Sequence, residues 1–392
     1  MENVKVGIVG IGNIGFIHAK KLYAHQVEGF TLTAICDSNP KMEAVAGESF
    51  PGTAFYGDYK EMFRKADIDA VIVAVPHPSH SDVAIDAFAC GKHVLIEKPM
   101  DITLSKGKLL CEAAKNSGKK FAIMFNQRTH GLFAKAKEIV ESGALGELRR
   151  SVWIITNWYR TQFYYDSGSW RATWAGEGGG VLMNQAPHQL DLWQWICGMP
   201  DTITAFCTES KHHNIEVEDD ATIFARYPNG AEGVFVTSTG EAPGTNRLEI
   251  AGTKGKLVLE NGVLKWWKLE QDTRSHSDAA KTSSSKIPFD YEEIPEDPAG
   301  YAGHRGILQN FSDAIRFDAP LLSPGYDGIR ELTIQNAAYM SAWKGNMPVQ
   351  IPFDEAEYDA LLEQKKLHSQ VGTCESTHDR EEGYHARWQT NW

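Results

Sequence analysis

The chain has 392 residues, 42% apolar, 23% charged and 10% aromatic, an ordinary globular profile too long for one compact core, so two domains are expected. Its 39 lysines and arginines against 51 aspartates and glutamates leave a net charge of −12, which argues against a dedicated nucleic-acid or anionic-membrane binder. Six scattered cysteines without paired spacing, an N-terminus running straight into a strand pattern and apolar runs no longer than a strand predict a reduced, cytoplasmic protein with neither signal peptide nor membrane span.

Through residue 125 short β-branched runs alternate with helical patterns. Residues 4–9, 31–36, 70–75, 93–96 and 121–125 read as buried parallel strands, and 14–26, 40–49, 59–66, 79–90 and 104–117 as helices. This alternation predicts an N-terminal, doubly wound Rossmann domain over 1–125. Gly10-Ile11-Gly12-Asn13-Ile14-Gly15 follows the first strand and opens the first helix. Glycines at this spacing allow a tight turn, backbone approach to a pyrophosphate and close helix–strand packing, while the helix N-terminus offers N–H groups to phosphates. Gly10, Gly12, Asn13, Ile14 and Gly15 are therefore expected to bind a dinucleotide. Asp37 ends the second strand, where a carboxylate accepts ribose hydroxyls and repels a 2′-phosphate; NAD is favoured over NADP, although Lys41 could reach a phosphate.

Beyond Gly146 the texture changes. Residues 148–155, 203–209, 221–227, 232–239, 246–251 and 256–259 are strand-like and several alternate, which predicts a C-terminal α+β domain over 126–365 with a large, mainly antiparallel open sheet. Helical patterns interrupt it at 181–197 and 304–318. Residues 271–300 are polar and rich in Pro and Ser, a predicted surface excursion, and 366–392 form a polar, Trp-bearing tail. Between 153 and 174 stand eight aromatic residues, among them Trp158 and Trp174, with Arg160 and Arg171. Such a cluster suits either a sugar pocket, flat rings covering C–H faces, or a subunit interface. Asn126 and Arg128 leave the last Rossmann strand at its carboxyl end, where open α/β sheets bind ligands, and are further substrate candidates. No histidine shows metal-ligand spacing, so no metal is expected.

Three blocks give the chain a family resemblance: the glycine turn; Val75-Pro76-His77-Pro78-Ser79-His80 followed by Glu97-Lys98-Pro99; and the run from Gly178-Gly179-Gly180 through Asn184 and His188 to Asp191. It resembles the glucose–fructose oxidoreductase/inositol dehydrogenase/MocA (Gfo/Idh/MocA) family over nearly its whole length. The resemblance implies NAD-dependent oxidation or reduction of a hydroxyl on a sugar, glycoside or cyclitol, and a homodimer or homotetramer. It also implies that Lys98 and His188 face the substrate, with Pro76, His80, Glu97 and Lys98 near the cofactor. His80 could equally cap the next helix. By ordinary basicity His188 is the better base and Lys98 the better fixed cation for an alkoxide. Asn184 and Asp191, four before and three after His188, would share its helical face and orient it or bind hydroxyls. Inositol-dehydrogenase relatives carry aspartate at the first of these positions, so a carboxylate relay there is ruled out. Two other readings are a redox-neutral enzyme that oxidises a glycoside transiently and recycles NAD, and a non-catalytic regulator sensing NAD or sugar.

Overall fold

The computed structural model describes residues 2–168, 170–297 and 302–369. The chain divides into two compact units, Met1–Thr129 with Ala302–Leu332, and the described residues of His130–Tyr301 and Thr333–Trp392. Of the expected tail at 366–392, all but its first four residues lies outside the described residues.

In the first unit β1 (Val4–Val9), β2 (Phe30–Cys36), β3 (Ala54–Tyr56), β4 (Ala70–Val73), β5 (His93–Ile96) and β6 (Phe121–Ile123) pair in parallel, in the order β3-β2-β1-β4-β5-β6. Successive residues of a strand point to opposite faces, and both faces here are apolar. Ile72 and Leu95 enter one core with Phe30 and Phe311, whereas Val71, Val73, Val94 and Ile96 enter the other with Phe88 and Leu110. Helices supply the cover, as the continuous apolar runs predict. Strand β3 is missing from the sequence reading because three residues carry no periodic signal; its pairing with Ala34–Cys36 makes it a strand. The helix Gly303–Phe317, remote in sequence, joins this unit by burying Ile307, Leu308 and Phe311, the last packed edge-on against Phe30 at 6.0 Å.

The second unit is built on a nine-stranded mixed sheet. Its strands are β7 (Leu148–Ile155), β8 (Thr202–Glu209), β9 (Glu218–Arg226), β10 (Glu232–Ser238), β11 (Asn246–Gly252), β12 (Gly255–Glu260), β13 (Val263–Leu269), β14 (Phe289–Pro295) and β15 (Val349–Gln350). They run in the order β14-β13-β12-β11-β7-β10-β9-β8-β15, antiparallel except for β7 beside β10. Trp153 of β7 and Phe235 of β10 centre its core with Trp193, whose indole N–H donates to Ser151 Oγ at 3.0 Å.

One expectation gains detail and one is corrected. The described part of 271–300 runs over the surface as expected, and it holds the helix Thr273–Ala279 and β14, an edge strand. Most β14 side chains face solvent, so its ladder hydrogen bonds, not apolar alternation, define it. The helix expected over 181–197 is two, Val181–Asn184 and Pro187–Cys197. Proline fits the first helical turn and lacks the N–H to continue one, so the chain restarts at Pro187.

Candidate active site

At the end of β1 the chain turns through Gly10, at φ +86°, and enters the helix Asn13–Tyr23 from Gly12, with no side chain capping its first turn. The glycines differ in purpose. A Cβ on Gly15 would stand 1.9 Å from the Gly10 carbonyl oxygen, so Gly15 is a packing requirement, whereas a Cβ on Gly12 meets nothing within 4 Å. Gly12 and Asn13 are exposed and Ile14 half-buried. Open space before uncapped helical N–H groups is what a pyrophosphate needs. Asp37 accepts from Ile11 N–H and Asn39 N–H, each at 2.9 Å, so its carboxylate is held in one orientation beside the turn. Each oxygen keeps a further lone pair for a ribose hydroxyl. The residues therefore fit an adenine dinucleotide.

Glu97 follows β5 directly and is 5% exposed, and Lys98 after it is half-buried. Because β1 and β5 are parallel in one sheet, Lys98 and the glycine turn stand at the same carboxyl-terminal edge. Glu97 accepts from Nε2–H of the buried His18 at 2.7 Å and from the Lys98 backbone N–H at 3.2 Å. Burial alone would raise its pKa, but the His18 hydrogen bond, the imidazoles of His18 and His304 and the Lys98 charge outweigh that and hold it at about 2. Glu97 is thus a fixed buried anion beside Lys98. His80 is buried with its ring nitrogens 2.7 Å from the Pro99 carbonyl and 2.8 Å from that of Val75; it ties the two loops together and caps no helix. Pro76 is exposed on the first of those loops.

Asn126 and Arg128, expected to touch substrate, stand just beyond β6 at the carboxyl-terminal edge of the same sheet. Both are buried in the turn Asn126–Thr129, where the Arg128 guanidinium donates to Asp327 at 2.7 Å and to the Leu322 carbonyl at 3.2 Å. Arg128 clamps the returning segment 302–332 to its own unit.

In the second unit, Gly178-Gly179-Gly180 lead into the helix Val181–Asn184 across a buried carboxylate. Glu218 accepts from Gly180 N–H and Leu182 N–H, each at 2.9 Å, and from Tyr339 O–H at 2.8 Å. Burial dominates over these three donors and lifts its pKa to about 7. Any Cβ on Gly180 would stand 1.8 Å from the Glu218 carbonyl oxygen, so the glycine lets this turn seat on β9. His188 lies in the first turn of the helix Pro187–Cys197 and is 4% exposed. Asn184 belongs to the preceding helix and not to the shared face expected of it; it is half-buried, and its amide donates to Glu177. Asp191 is fully buried and accepts from Gln194 at 3.0 Å.

Trp158 and Trp174, expected in a sugar pocket or a subunit interface, are both buried. Their indole N–H groups donate to Thr237 Oγ1 and to the Glu216 carbonyl, both at 3.0 Å, and Trp174 packs edge-on against Tyr339 and Trp343. Of the cluster, Tyr159 and Phe163 are exposed and Trp170 half-exposed. Three polar residues unmarked by sequence reasoning organise these segments: His18, Glu177 and Glu218. His18 lies on the helix that the glycine turn opens, and Glu177 immediately precedes the glycine run, so their adjacency to known blocks was the available signal.

Residues 4–125 match the oxidoreductase family with an NAD-binding Rossmann fold, and residues 133–258 match the GFO/IDH/MocA C-terminal domain. A levoglucosan dehydrogenase of Pseudarthrobacter phenanthrenivorans is 27% identical over 293 residues, covering 66% of this chain and 74% of that one. The scyllo-inositol 2-dehydrogenase (NAD(+)) of Bacillus subtilis is 25% identical over 364 residues, covering 91% and 98%. Among solved structures, the WlbA dehydrogenase from Bordetella pertussis in complex with NADH and UDP-GlcNAcA is similar with a TM-score of 0.74 at 26% identity, covering 90% of this chain and 100% of that one. Among the described residues, no helix is long and apolar enough to cross a membrane.

Proposed function

Because the chain belongs to the Gfo/Idh/MocA oxidoreductase family and uses NAD, we propose that it oxidises or reduces a secondary hydroxyl of a sugar, glycoside or cyclitol, with Lys98 and His188 at the reacting centre. One observation carries this reading: Lys98 stands half-buried at the carboxyl-terminal edge that also holds the glycine turn, beside Glu97, whose carboxyl is held well below the usual range. A cation at that edge suits a developing alkoxide.

Bound NAD supplies the acceptor for the hydride that leaves the carbinol carbon. The Lys98 ammonium steadies the oxygen as its O–H bond breaks. An imidazole nitrogen of His188, ordinarily near about 6.5, takes the proton, leaving a carbonyl product; the reverse direction returns it. Neighbouring Asn184 binds a substrate hydroxyl. The open nine-stranded sheet offers a face for pairing copies as a homodimer or homotetramer, and scattered, unpaired cysteine spacing suits a cytoplasmic protein.

The test is purified protein with NAD and a panel of levoglucosan, scyllo-inositol and myo-inositol, followed by NADH absorbance. Turnover should fall by about a hundredfold or more in Lys98→Ala and in His188→Ala. Full turnover in either variant removes that residue from the reacting centre.

A further inference from the structure

Glu177 is 2% exposed, and three polar contacts surround its carboxylate. One oxygen accepts from the Asn184 amide; the other accepts from Ala172 N–H at 2.6 Å; the Arg171 guanidinium lies 4.0 Å away. Arg171 is itself held, donating to Tyr164 O–H at 2.8 Å with its guanidinium 4.7 Å from the ring centroids of both Tyr164 and Trp170. Gln185, next to Asn184, donates to the same Tyr164 oxygen at 3.1 Å. Ala172 sits at φ +56°, a conformation costly for a residue with a Cβ, and its N–H is aimed at the carboxylate. Residues 164, 171, 172, 177, 184 and 185 thus form one connected polar network around the buried Glu177 carboxyl group.

We propose that Glu177 is a positioning residue that holds Asn184 in a single amide orientation, so that Asn184 offers its carbonyl oxygen to a substrate hydroxyl. The reason is electrostatic. An amide N–H can face a carboxylate, but the carbonyl oxygen cannot, so flipping Asn184 is disfavoured while Glu177 is ionised. The Asn–Glu pair holds one carboxylate, and a second would put two anions in direct contact. This role rests on the placement of Asn184 in the substrate site proposed above.

The test is a charge exchange, read first by melting the full chain without cofactor or substrate. Glu177 also faces Arg171 and Tyr165, which stay unchanged in every variant. In Asn184→Asp two carboxylates share one site, and the folded pair retains a proton that the unfolded chain releases near about pH 4. Its folded pKa is raised, so its melting temperature should fall, relative to wild type, as pH rises from about 4 to 8. The double variant Glu177→Gln/Asn184→Asp holds a single carboxylate and should lose that extra slope.

On the panel substrate turned over fastest, Asn184→Asp should lose about tenfold in kcat/KM near pH 8, and recover part of it near pH 6. Glu177→Gln should act mainly on KM, and the double variant should regain most of the loss. If Glu177→Gln alone fails to fold, the comparison of Asn184→Asp with the double variant still decides. A wild-type pH dependence of melting in Asn184→Asp overturns the pairing, and a double variant as poor as Asn184→Asp overturns the positioning role. Full turnover in Lys98→Ala and His188→Ala would instead sink the reacting centre, and the positioning role with it, while leaving the melting result intact.

Discussion

His18 Nε2–H donates to the Glu97 carboxylate at 2.7 Å, with both side chains closed to solvent and the Lys98 backbone N–H on the other carboxylate oxygen. A helix residue five positions beyond the start of Asn13–Tyr23 therefore anchors the residue that precedes Lys98. His18→Ala would leave a buried anion without its main donor, and should cost about 3–5 kcal/mol in urea unfolding. His18→Gln, whose amide can present an N–H, should recover much of this. The Glu97 pKa is depressed in the folded state, so its contribution to stability is complete above the ordinary carboxylate value and disappears as pH falls toward about 2. His18→Gln should flatten that acid slope; an unchanged slope would show that His18 does not set the charge.

The first two glycine substitutions worth making should behave oppositely. Gly12→Ala adds a methyl group to open space at a φ of −60° that alanine accepts, so apo melting should stay within about 0.5 kcal/mol of wild type. NAD affinity, measured by calorimetry, should fall about tenfold or more, because that methyl occupies the pyrophosphate approach. Gly15→Ala forces a carbon against the Gly10 carbonyl and should destabilise the apo protein by about 2 kcal/mol or more. Equal effects on melting would mean the two positions are not divided between binding and packing.

Glu218 predicts a second pH dependence, of opposite sign to that of Glu97. Burial lifts its folded pKa to about 7, so its contribution is fully present below the ordinary carboxylate value and declines as pH rises through about 7. Glu218→Gln cannot accept all three donors at once and should melt lower at every pH, but with a flatter profile between about pH 4.5 and 7. A profile as steep as wild type would assign the slope to another group.

Arg128 offers a test of structure against binding. Replacing it by Leu strands Asp327 and the Leu322 carbonyl, and should cost about 2–3 kcal/mol in unfolding. Well below the melting temperature, KM on the panel substrate should stay within about twofold of wild type. A large KM increase in a stable variant would instead place Arg128 in the substrate site.

What was legible in the sequence was local. The glycine turn, Asp37, the apolar β runs and the glycine run before Val181 each carry their meaning within one supersecondary unit, because backbone geometry and strand alternation act between near neighbours. Short β3 and exposed β14 left no such mark, since hydrogen bonds to partner strands alone define them. The break at Pro187 was readable in principle, as proline at a first helical turn, yet apolar periodicity runs across it.

Polar side chains depend on partners far along the chain, and there the fold decided. Aromatic density between 153 and 174 suits a pocket or an interface equally, and only the fold gives the Trp158 and Trp174 indoles their partners, among them Thr237 and Tyr339. Arg128 and Asp327 stand 199 positions apart, Glu218 and Tyr339 121, and His18 and Glu97 79. The sequence by itself determined the family, the cofactor and the segments bearing Lys98 and His188. Tertiary structure determined which buried charges hold those segments, because the energy of a buried charge depends on the partners that folding brings to it.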